Sequence, residues 1–172
     1  DAIIMEVLIA KKDDLKDIFA LIKDAKNTLK QKGIPQWQED YPTIHDLEKD
    51  IQNQTMMILK HKKETIACAN LSLEPDPFYQ EIEGNWLQED LYASLHRIAV
   101  KSNVHGQGYG QKFIAELEKI AKEKGAYSIR IDTHPLNQSM KTLLDKRHYH
   151  YCGLVVVQDK TSRIAYEKLL SQ

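Results

Sequence analysis

Three glycines alternate with other residues between a strand pattern and an amphipathic helix, and this segment constrains the fold more than any other. Residues 95–100 (LHRIAV) are typical of a strand, and residues 105–110 read HGQGYG. The helix that follows places its apolar residues on one face: Phe113, Ile114, Leu117, Ile120 and Ala121. Glycine lets the backbone approach a ligand, and the free N–H groups at a helix start favour an anion. The segment therefore predicts a phosphate or pyrophosphate site, with a glycine-shaped turn as the plainer alternative.

Length and composition favour one ordinary domain over residues 1–172 of a cytoplasmic protein. A chain of this size buries roughly 70% of its unfolded surface, so its core needs no disulfide. Cys68 and Cys152 are too few for a disulfide framework and lack zinc-site spacing, so we expect buried free thiols. No apolar run approaches the roughly 20 residues of a membrane span, and the first residues lack the layout of a signal peptide.

The formal charge of -1 hides an asymmetry along the chain. Residues 1–90 carry 18 acidic and 11 basic side chains, whereas residues 91–172 carry 7 acidic and 13 basic ones. The near-zero total argues against a nucleic-acid partner, because such binding needs a basic surface that neutralises phosphates. The basic half contains the glycine segment, which agrees with a polyphosphate ligand at that position.

Apolar periodicity and turn residues predict the element order β-α-α-β-β-β-α-β-α-β-β. The predicted strands cover residues 3–10, 56–60, 65–73, 91–100, 128–132, 149–157 and 162–169. The predicted helices begin at Asp13 or Asp14, at Thr43, directly after the glycine segment, and at Asn137. The second of them is expected to bury Ile44, Leu47 and Ile51. Hairpins in the first half and strand–helix–strand units in the second predict an α/β fold with helices packed on a mixed sheet.

Two other phosphate-binding motifs match the glycine segment less well. A Walker A loop ends in Gly-Lys-Ser or Gly-Lys-Thr, whereas Gly110 is followed by Gln111. A dinucleotide fingerprint reads G-x-G-x-x-G and has an acidic residue about 20 positions further on, and Asp132 does end the next predicted strand. The spacing here is G-x-G-x-G, and five residues separate Val100 from Gly106. A dinucleotide-binding oxidoreductase is therefore the second alternative.

The glycine segment, placed after residues 95–100, resembles the acetyl-CoA loop of GNAT-type N-acetyltransferases, which carry Arg/Gln-x-x-Gly-x-Gly/Ala after their fourth strand. Residues 132–137 (DTHPLN) resemble the family's fifth strand leading into an Asn-started helix, and the resemblance covers essentially the whole chain. It implies a mixed, mostly antiparallel sheet of about seven strands with about four helices packed on it. It also implies transfer of the acetyl group of acetyl-CoA, without a metal, to a primary amine of a small molecule or peptide.

The same resemblance implies which residues contact acetyl-CoA. Strand main-chain groups would meet the pantetheine arm, the glycine loop would meet the pyrophosphate, and the residue that begins the next helix would contact the cofactor while capping that helix. These residues are Ile98, Ala99, Val100, His105, Gly106, Gln107, Gly108, Tyr109, Gly110 and Asn137. Because His105 replaces the usual Arg or Gln, we expect a weaker side-chain contribution to binding. Leu144 occupies the place of the family's proton-donating Tyr, which leaves the donor open.

Three residues are candidates for the base that deprotonates the amine, whose ordinary pKa is about 10.4. Glu83 precedes the predicted strand 91–100, where it can relay a proton through water or can simply be a solvated carboxylate. His96 lies on that strand, either as the base or as a hydrogen-bonded core residue. His134 follows the next strand and faces the predicted cofactor cleft, or only builds a turn. His148 and His150 lack a further ligand at metal-site spacing, so we expect no metal there.

The acceptor amine is expected to bind the first half of the chain, at residues 33–42 between the first two predicted helices. Trp37 and Tyr41 are rigid aromatics that can wall an acceptor pocket or fix this segment to the core. Residues 74–90 contain six acidic side chains and no Lys or Arg, which favours a cationic amine or, alternatively, a solvated face. A non-catalytic CoA-binding or regulatory module is the main functional alternative. An exposed edge at the C-terminal strands permits a homodimer.

Overall fold

A computed structural model describes residues 5–171, which divide into two compact units. The first unit comprises the chain up to Leu71 together with residues 96–113. The second comprises residues 72–95 together with the chain from Ile114 onward. Residues 3 and 4 of the predicted first strand lie outside the described residues.

The first unit is built on neighbouring strands whose resolved registers are antiparallel. Its elements are β1 (Met5–Ile9), α1 (Leu15–Gln31), α2 (Ile44–Gln52), β2 (Met56–His61), most of β3 (Glu64–Ser72), the end of β5 (Tyr92–Val100) and the start of α3 (Tyr109–Glu123). The strand order in this unit is β1-β2-β3-β5, with Met5 opposite His61 and Met56 opposite Asn70. The continuous apolar runs of β2 and β3 are buried, as expected for central strands.

The second unit contains the one parallel pair whose register is resolved. Its elements are the start of β5, the end of α3, β4 (Glu83–Gly84), β6 (Ser128–Thr133), α4 (Gln138–Lys146), β7 (His150–Val156) and β8 (Ser162–Leu169). Tyr92 of β5 lies opposite Ser128 of β6 in parallel register, and α3 makes the crossover between these two strands. The strand order in this unit is β5-β6-β8-β7-β4, and its other pairs are antiparallel.

The predicted fold class, a mixed and mostly antiparallel sheet with four helices, is confirmed. Residues 5–171 contain eight strands instead of about seven because β4, a two-residue strand within residues 74–90, pairs with β7. Gly84 and Gly153 lie opposite each other with φ of 144° and 146°. A Cβ atom on Gly84 would come within 2.1 Å of the carbonyl oxygen of Cys152, so only glycine permits this close approach.

Helix boundaries follow local capping chemistry. Asp14 is the N-cap of α1, and Gly33, with φ of 71°, follows its end. Thr43 caps α2 through the predicted capping box, because its Oγ1 accepts from Asp46 N–H at 3.1 Å while Asp46 Oδ2 accepts from Thr43 N–H at 2.7 Å. The expected burial of Ile44 is wrong: this first helical residue is 44% exposed, since the buried face of the short helix begins one turn later.

Each unit has a hydrophobic core. The first unit's core joins α1, α2, β2, β3 and β5 through residues that include Ile18, Ile22, Leu47, Met56, Ile58, Cys68 and Ala99. The second unit has a cluster around Tyr79, Val155 and Ala165. Both cysteines are buried and unpaired, as expected.

Candidate active site

Gly106 and Gly108 both adopt the left-handed backbone conformation, with φ of 84° and 82°. A side chain in this region is strained, at a cost of roughly 1–2 kcal/mol, whereas glycine adopts it freely. A Cβ atom at either position would meet no other atom within 4 Å. The glycines are therefore required by the backbone conformation, and the space beside them is open to a ligand.

Helix α3 begins directly after this loop, at Tyr109. The N–H of Lys112 donates to the carbonyl of Gly108 at 3.1 Å, which closes the first helical turn. The N–H groups that precede Lys112 lack an intrahelical acceptor and carry the positive end of the helix dipole. His105, Gln107 and Gly108 are exposed. The arrangement fits the pyrophosphate of acetyl-CoA, which would be held by backbone groups of residues 105–110.

Side chains fix both ends of the loop. The Nε2 atom of His105 lies 3.0 Å from the carbonyl oxygen of Val100, so this ring ties the loop to β5. Ser102 donates from its N–H and its hydroxyl to the two carboxylate oxygens of Asp24, each at 2.7 Å. The hydroxyl of Tyr109 lies 3.0 Å from Nδ1 of His61. The loop is thus pre-organised by contacts that the glycine motif does not reveal.

Strand β5 is irregular at Arg97, whose φ is 53°. A non-glycine residue in this region within a strand indicates a β-bulge and costs roughly 1–2 kcal/mol. On β3, the thiol of Cys68 donates to the carbonyl of Arg97 at 3.7 Å and accepts a hydrogen bond from the N–H of Ala99. Ala99 is buried, and Ile98 and Val100 are half-buried. Of the three predicted main-chain contacts for the pantetheine arm, Ala99 N–H is therefore directed to β3.

An ion pair that the sequence analysis does not predict lies beside this bulge. Arg97 donates from Nε to Oδ2 of Asp50 at 2.6 Å and from Nη2 to Oδ1 at 2.7 Å. Burial raises the pKa of Asp50, and the hydrogen bonds from Arg97 oppose that shift. One signal was available: Asp50 follows Leu47 by three residues and so lies on the apolar face of α2. A charged residue at such a position needs a partner.

The two aromatics of the segment 33–42 differ in role. Trp37 is half-buried and packs against the first unit's core, so it fixes the segment. Tyr41 is 39% exposed, and its hydroxyl accepts from Nη1 of Arg97 at 2.7 Å. Desolvation raises the pKa of that hydroxyl, against the lowering effect of Arg97. Lys26 also holds the segment, donating to the carbonyls of Asp40 and Pro42 at 3.3 and 3.2 Å. Tyr41 is thus the aromatic that remains available to an acceptor.

The candidate bases lie in different places. His96 is half-buried on β5 in the first unit, and its positive charge would lower the pKa of Asp50. Glu83 is exposed on β4 in the second unit. His134, also in the second unit, accepts the N–H of Leu136 at Nδ1 over 3.1 Å and so builds the turn after β6. Desolvation and the charge of Arg163 lower the pKa of His134, which favours a neutral ring with its proton on Nε2.

Two further predicted positions lie on α4. The side chain of Asn137 accepts the N–H of Met140 at 3.2 Å and so caps the helix, as predicted. Leu144 is fully buried. The helix therefore has an apolar core residue at the position from which the family's Tyr donates a proton.

The acidic segment, residues 74–90, contributes to a cavity of about 460 Å³ in the second unit. Arg130, which also lines it, is 5% exposed and donates to Glu167 at 3.0 Å. Its guanidinium carbon lies 3.9 Å from the ring centroid of Tyr92 and 4.3 Å from that of Trp86. The arginine is thus neutralised and stacked, while Glu89 in the same lining is exposed.

Within residues 5–171, no three His, Cys, Asp or Glu side chains are grouped as they would be around a metal ion. Over the same part of the chain, no helix is both long enough and apolar enough to cross a membrane.

Comparisons with known proteins bear on this geometry. The profile of the acetyltransferase (GNAT) family matches residues 16–151. A GNAT-family acetyltransferase from Streptococcus agalactiae is similar in structure, with a TM-score of 0.91, 31% identity, and 98% of this chain and 96% of that chain covered. A comparison with curated proteins gave no match.

Two more distant structures share the fold. A GNAT-family acetyltransferase from Listeria monocytogenes has a TM-score of 0.76 at 21% identity, covering 96% of this chain and 95% of that one. The PaiA N-acetyltransferase from Thermoplasma acidophilum, solved in complex with coenzyme A, has a TM-score of 0.72 at 17% identity, covering 96% and 99%. The dinucleotide-binding alternative does not fit these matches. The chain belongs to the acetyltransferase (GNAT) family.

Proposed function

We propose that the protein transfers the acetyl group of acetyl-CoA to a primary amine of a small molecule or peptide, by direct attack of the amine on the thioester. One observation carries the proposal: Gly106 and Gly108 hold left-handed backbone directly before α3, with open space where side chains would lie. That conformation leaves the first N–H groups of α3 accessible to a pyrophosphate. Family membership supplies the reaction class.

Bound acetyl-CoA would supply the acetyl group and the thiolate leaving group. The protein's residues orient the thioester and stabilise the charge that develops on it. Residues 105–110 hold the pyrophosphate. The N–H of Ile98 follows the bulge at Arg97. A backbone donor beside such a bulge can point at the thioester oxygen and stabilise the negative charge that develops there. Removing one donor to a developing oxyanion lowers kcat by roughly 10²–10³-fold.

We assign the role of base to His96 in preference to Glu83 and His134. Imidazole accepts a proton at neutral pH, and His96 lies on the bulged strand itself. His134 already uses Nδ1 to accept the N–H of Leu136, so its remaining nitrogen carries the proton. We expect His96→Gln to lower kcat by 10²–10⁴-fold. If His96→Gln lost less kcat than this and Glu83→Gln lost roughly 10²–10⁴-fold, Glu83 would be the general base instead.

The test is an amine panel with acetyl-CoA, read by release of free CoA thiol and by mass spectrometry of the acetylated amine. The panel pairs each amine that carries a second positive charge with an uncharged analogue of similar size. Given the acidic segment 74–90, we expect the cationic member to react faster. Equal rates across the pairs would contradict a cationic acceptor, and thiol release without any acetylated amine would contradict amine transfer.

A second function, CoA binding without catalysis, is favoured by one observation. Leu144 is fully buried where the family's proton-donating Tyr would stand. Saturable CoA binding with no thiol release from any amine would support this alternative. Thiol release with even one acetylated amine would exclude it.

A further inference from the structure

The backbone conformation of Arg97 at the bulge in β5 must be maintained by contacts within the first unit. Arg97 has φ of 53° in the middle of a strand whose other residues are extended, and it has a side chain, so the conformation is not the one it would adopt by default. Such a residue persists only where its surroundings determine it. Three residues contact Arg97 and hold this conformation: Asp50, Tyr41 and Cys68.

The side chain of Arg97 is held on two sides. Asp50, buried on α2, accepts two hydrogen bonds from Nε and Nη2 at 2.6 and 2.7 Å. Tyr41, on the segment between α1 and α2, accepts a third from Nη1 at 2.7 Å. A planar guanidinium held by a bidentate carboxylate has one orientation, because the fork of donors matches the carboxylate geometry. The direction of the Arg97 side chain is therefore fixed by α2.

The backbone around Arg97 is held from the opposite side by Cys68. This fully buried thiol on β3 donates to the carbonyl of Arg97 at 3.7 Å and accepts from the N–H of Ala99. The sulfur therefore restrains the main chain at the residue with left-handed backbone. The carbonyl of Arg97 and the N–H of Ile98 belong to one planar trans peptide and point in opposite directions, so the N–H of Ile98 points away from Cys68.

We propose that Asp50, Tyr41 and Cys68 are positioning residues that hold Arg97 in its left-handed conformation and so fix the direction of the Ile98 N–H for acetyl transfer. The inference rests on the proposed function. These contacts also connect residues 33–42, where the acceptor is expected to bind, to strand β5, because Tyr41 lies in residues 33–42 and contacts the Arg97 guanidinium. Arg97 acts through the backbone and does not itself bind the acceptor.

Two substitutions at one position separate this role from substrate binding. Arg97→Ala removes the side chain and retains a Cβ, which disfavours left-handed backbone, whereas Arg97→Gly removes the side chain and accepts that backbone freely. We expect kcat of Arg97→Gly to exceed that of Arg97→Ala by at least tenfold, with KM for acetyl-CoA within about twofold in both. Equal kcat values, or a raised acceptor KM at unchanged kcat in both variants, would overturn the proposal.

A structural readout makes the test independent of activity. The three-bond coupling between the amide and α protons of Arg97, measured by NMR, reports φ at that residue. We expect it to move toward the value of an extended residue in Asp50→Asn, with a smaller move in Tyr41→Phe and Cys68→Ala. Lys60→Gln, which removes the ion pair of Lys60 with Asp14 at 3.3 Å in the same unit, is the matched control and should leave the coupling unchanged.

The two failures are distinguishable. An unchanged coupling in folded Asp50→Asn and Tyr41→Phe would overturn the positioning role whatever the activity. If Asp50→Asn does not fold, Tyr41→Phe and Cys68→Ala decide the result. Absence of thiol release by the wild-type chain would instead contradict the proposed function, and the coupling would still show whether the three residues hold the bulge.

Discussion

Asp50 and Arg97 form a bidentate ion pair at 2.6 and 2.7 Å, and the arginine of this pair is the residue at which β5 departs from regular strand geometry. The pair joins helix α2 to the strand that precedes the glycine loop. Both side chains are largely buried, at 9% and 15% exposure. Removing either partner therefore leaves a charge with little access to water.

Asp50→Ala should lower the free energy of unfolding by about 3 kcal/mol, at the low end of the range for breaking a buried pair, because Arg97 keeps some exposure. Urea denaturation of the wild type and the variant measures the change. Glu116→Ala is the control, since Glu116 and Lys119 are 49% and 70% exposed in their pair and its loss should cost no more than about 1 kcal/mol. Equal losses in the two variants would contradict the importance of the Asp50 pair.

Gly108→Ala should lower stability by roughly 1–2 kcal/mol, because alanine is strained at φ of 82°. It should also raise the Kd for acetyl-CoA at least tenfold, since the Cβ enters the open space beside the loop. Gly125→Ala is the matched control: φ there is 95°, and the added Cβ meets only a side-chain atom of Leu91 at 3.9 Å. It should lose similar stability with unchanged affinity, and a matching loss of affinity would contradict the assignment of the loop.

Stability should fall as the pH rises above about 9. Burial raises the pKa of Cys68 to about 12 and that of Cys152 to about 11, and the pKa values of Tyr79 and Tyr149 also lie well above their ordinary value. The unfolded chain ionises first, so the folded chain binds more protons in this window and loses stability with rising pH. Each group contributes up to about 1.4 kcal/mol per pH unit.

Urea midpoints measured from neutral pH to about pH 11 check this pH dependence. Cys68→Ser is the informative variant, because a serine hydroxyl does not titrate in this range. Its midpoint should fall less steeply above pH 9 than that of the wild type. A wild-type midpoint that stays constant over the range would rule out the raised pKa values.

His134→Ala should lower stability by about 1 kcal/mol, because the N–H of Leu136 loses its acceptor. Its kcat should stay within tenfold of wild type, in contrast to His96→Gln. Steady-state kinetics at saturating acetyl-CoA compares the two. A loss of 100-fold or more in His134→Ala would make His134, not His96, the catalytic base.

The fold was largely predictable because its signals are local. Apolar periodicity located the four helices and seven of the strands, and Thr43 with Asp46 marked the start of α2. The strand Glu83–Gly84 was not predictable, since its pairing depends on contact with Gly153, about 70 residues away in sequence. A two-residue strand has no periodicity of its own.

The site was predictable only in part, for a related reason. The glycine motif predicted a backbone conformation that favours glycine, and Gly106 and Gly108 adopt left-handed φ. Arg97 lies 47 residues from Asp50 and 56 residues from Tyr41 along the chain, and no local pattern encodes their contacts. Only the position of Asp50 on an apolar helix face hinted at it.

Calorimetric titration of the chain with acetyl-CoA and with S-acetylpantetheine, which lacks the pyrophosphate and the nucleotide, tests whether residues 105–110 bind the pyrophosphate. We expect saturable binding of acetyl-CoA, binding of S-acetylpantetheine at least 100-fold weaker, and a Gly108→Ala variant in which that difference largely disappears. Equal affinity of the wild type for the two ligands, or no binding of acetyl-CoA, would contradict the assignment of residues 105–110 as the pyrophosphate site.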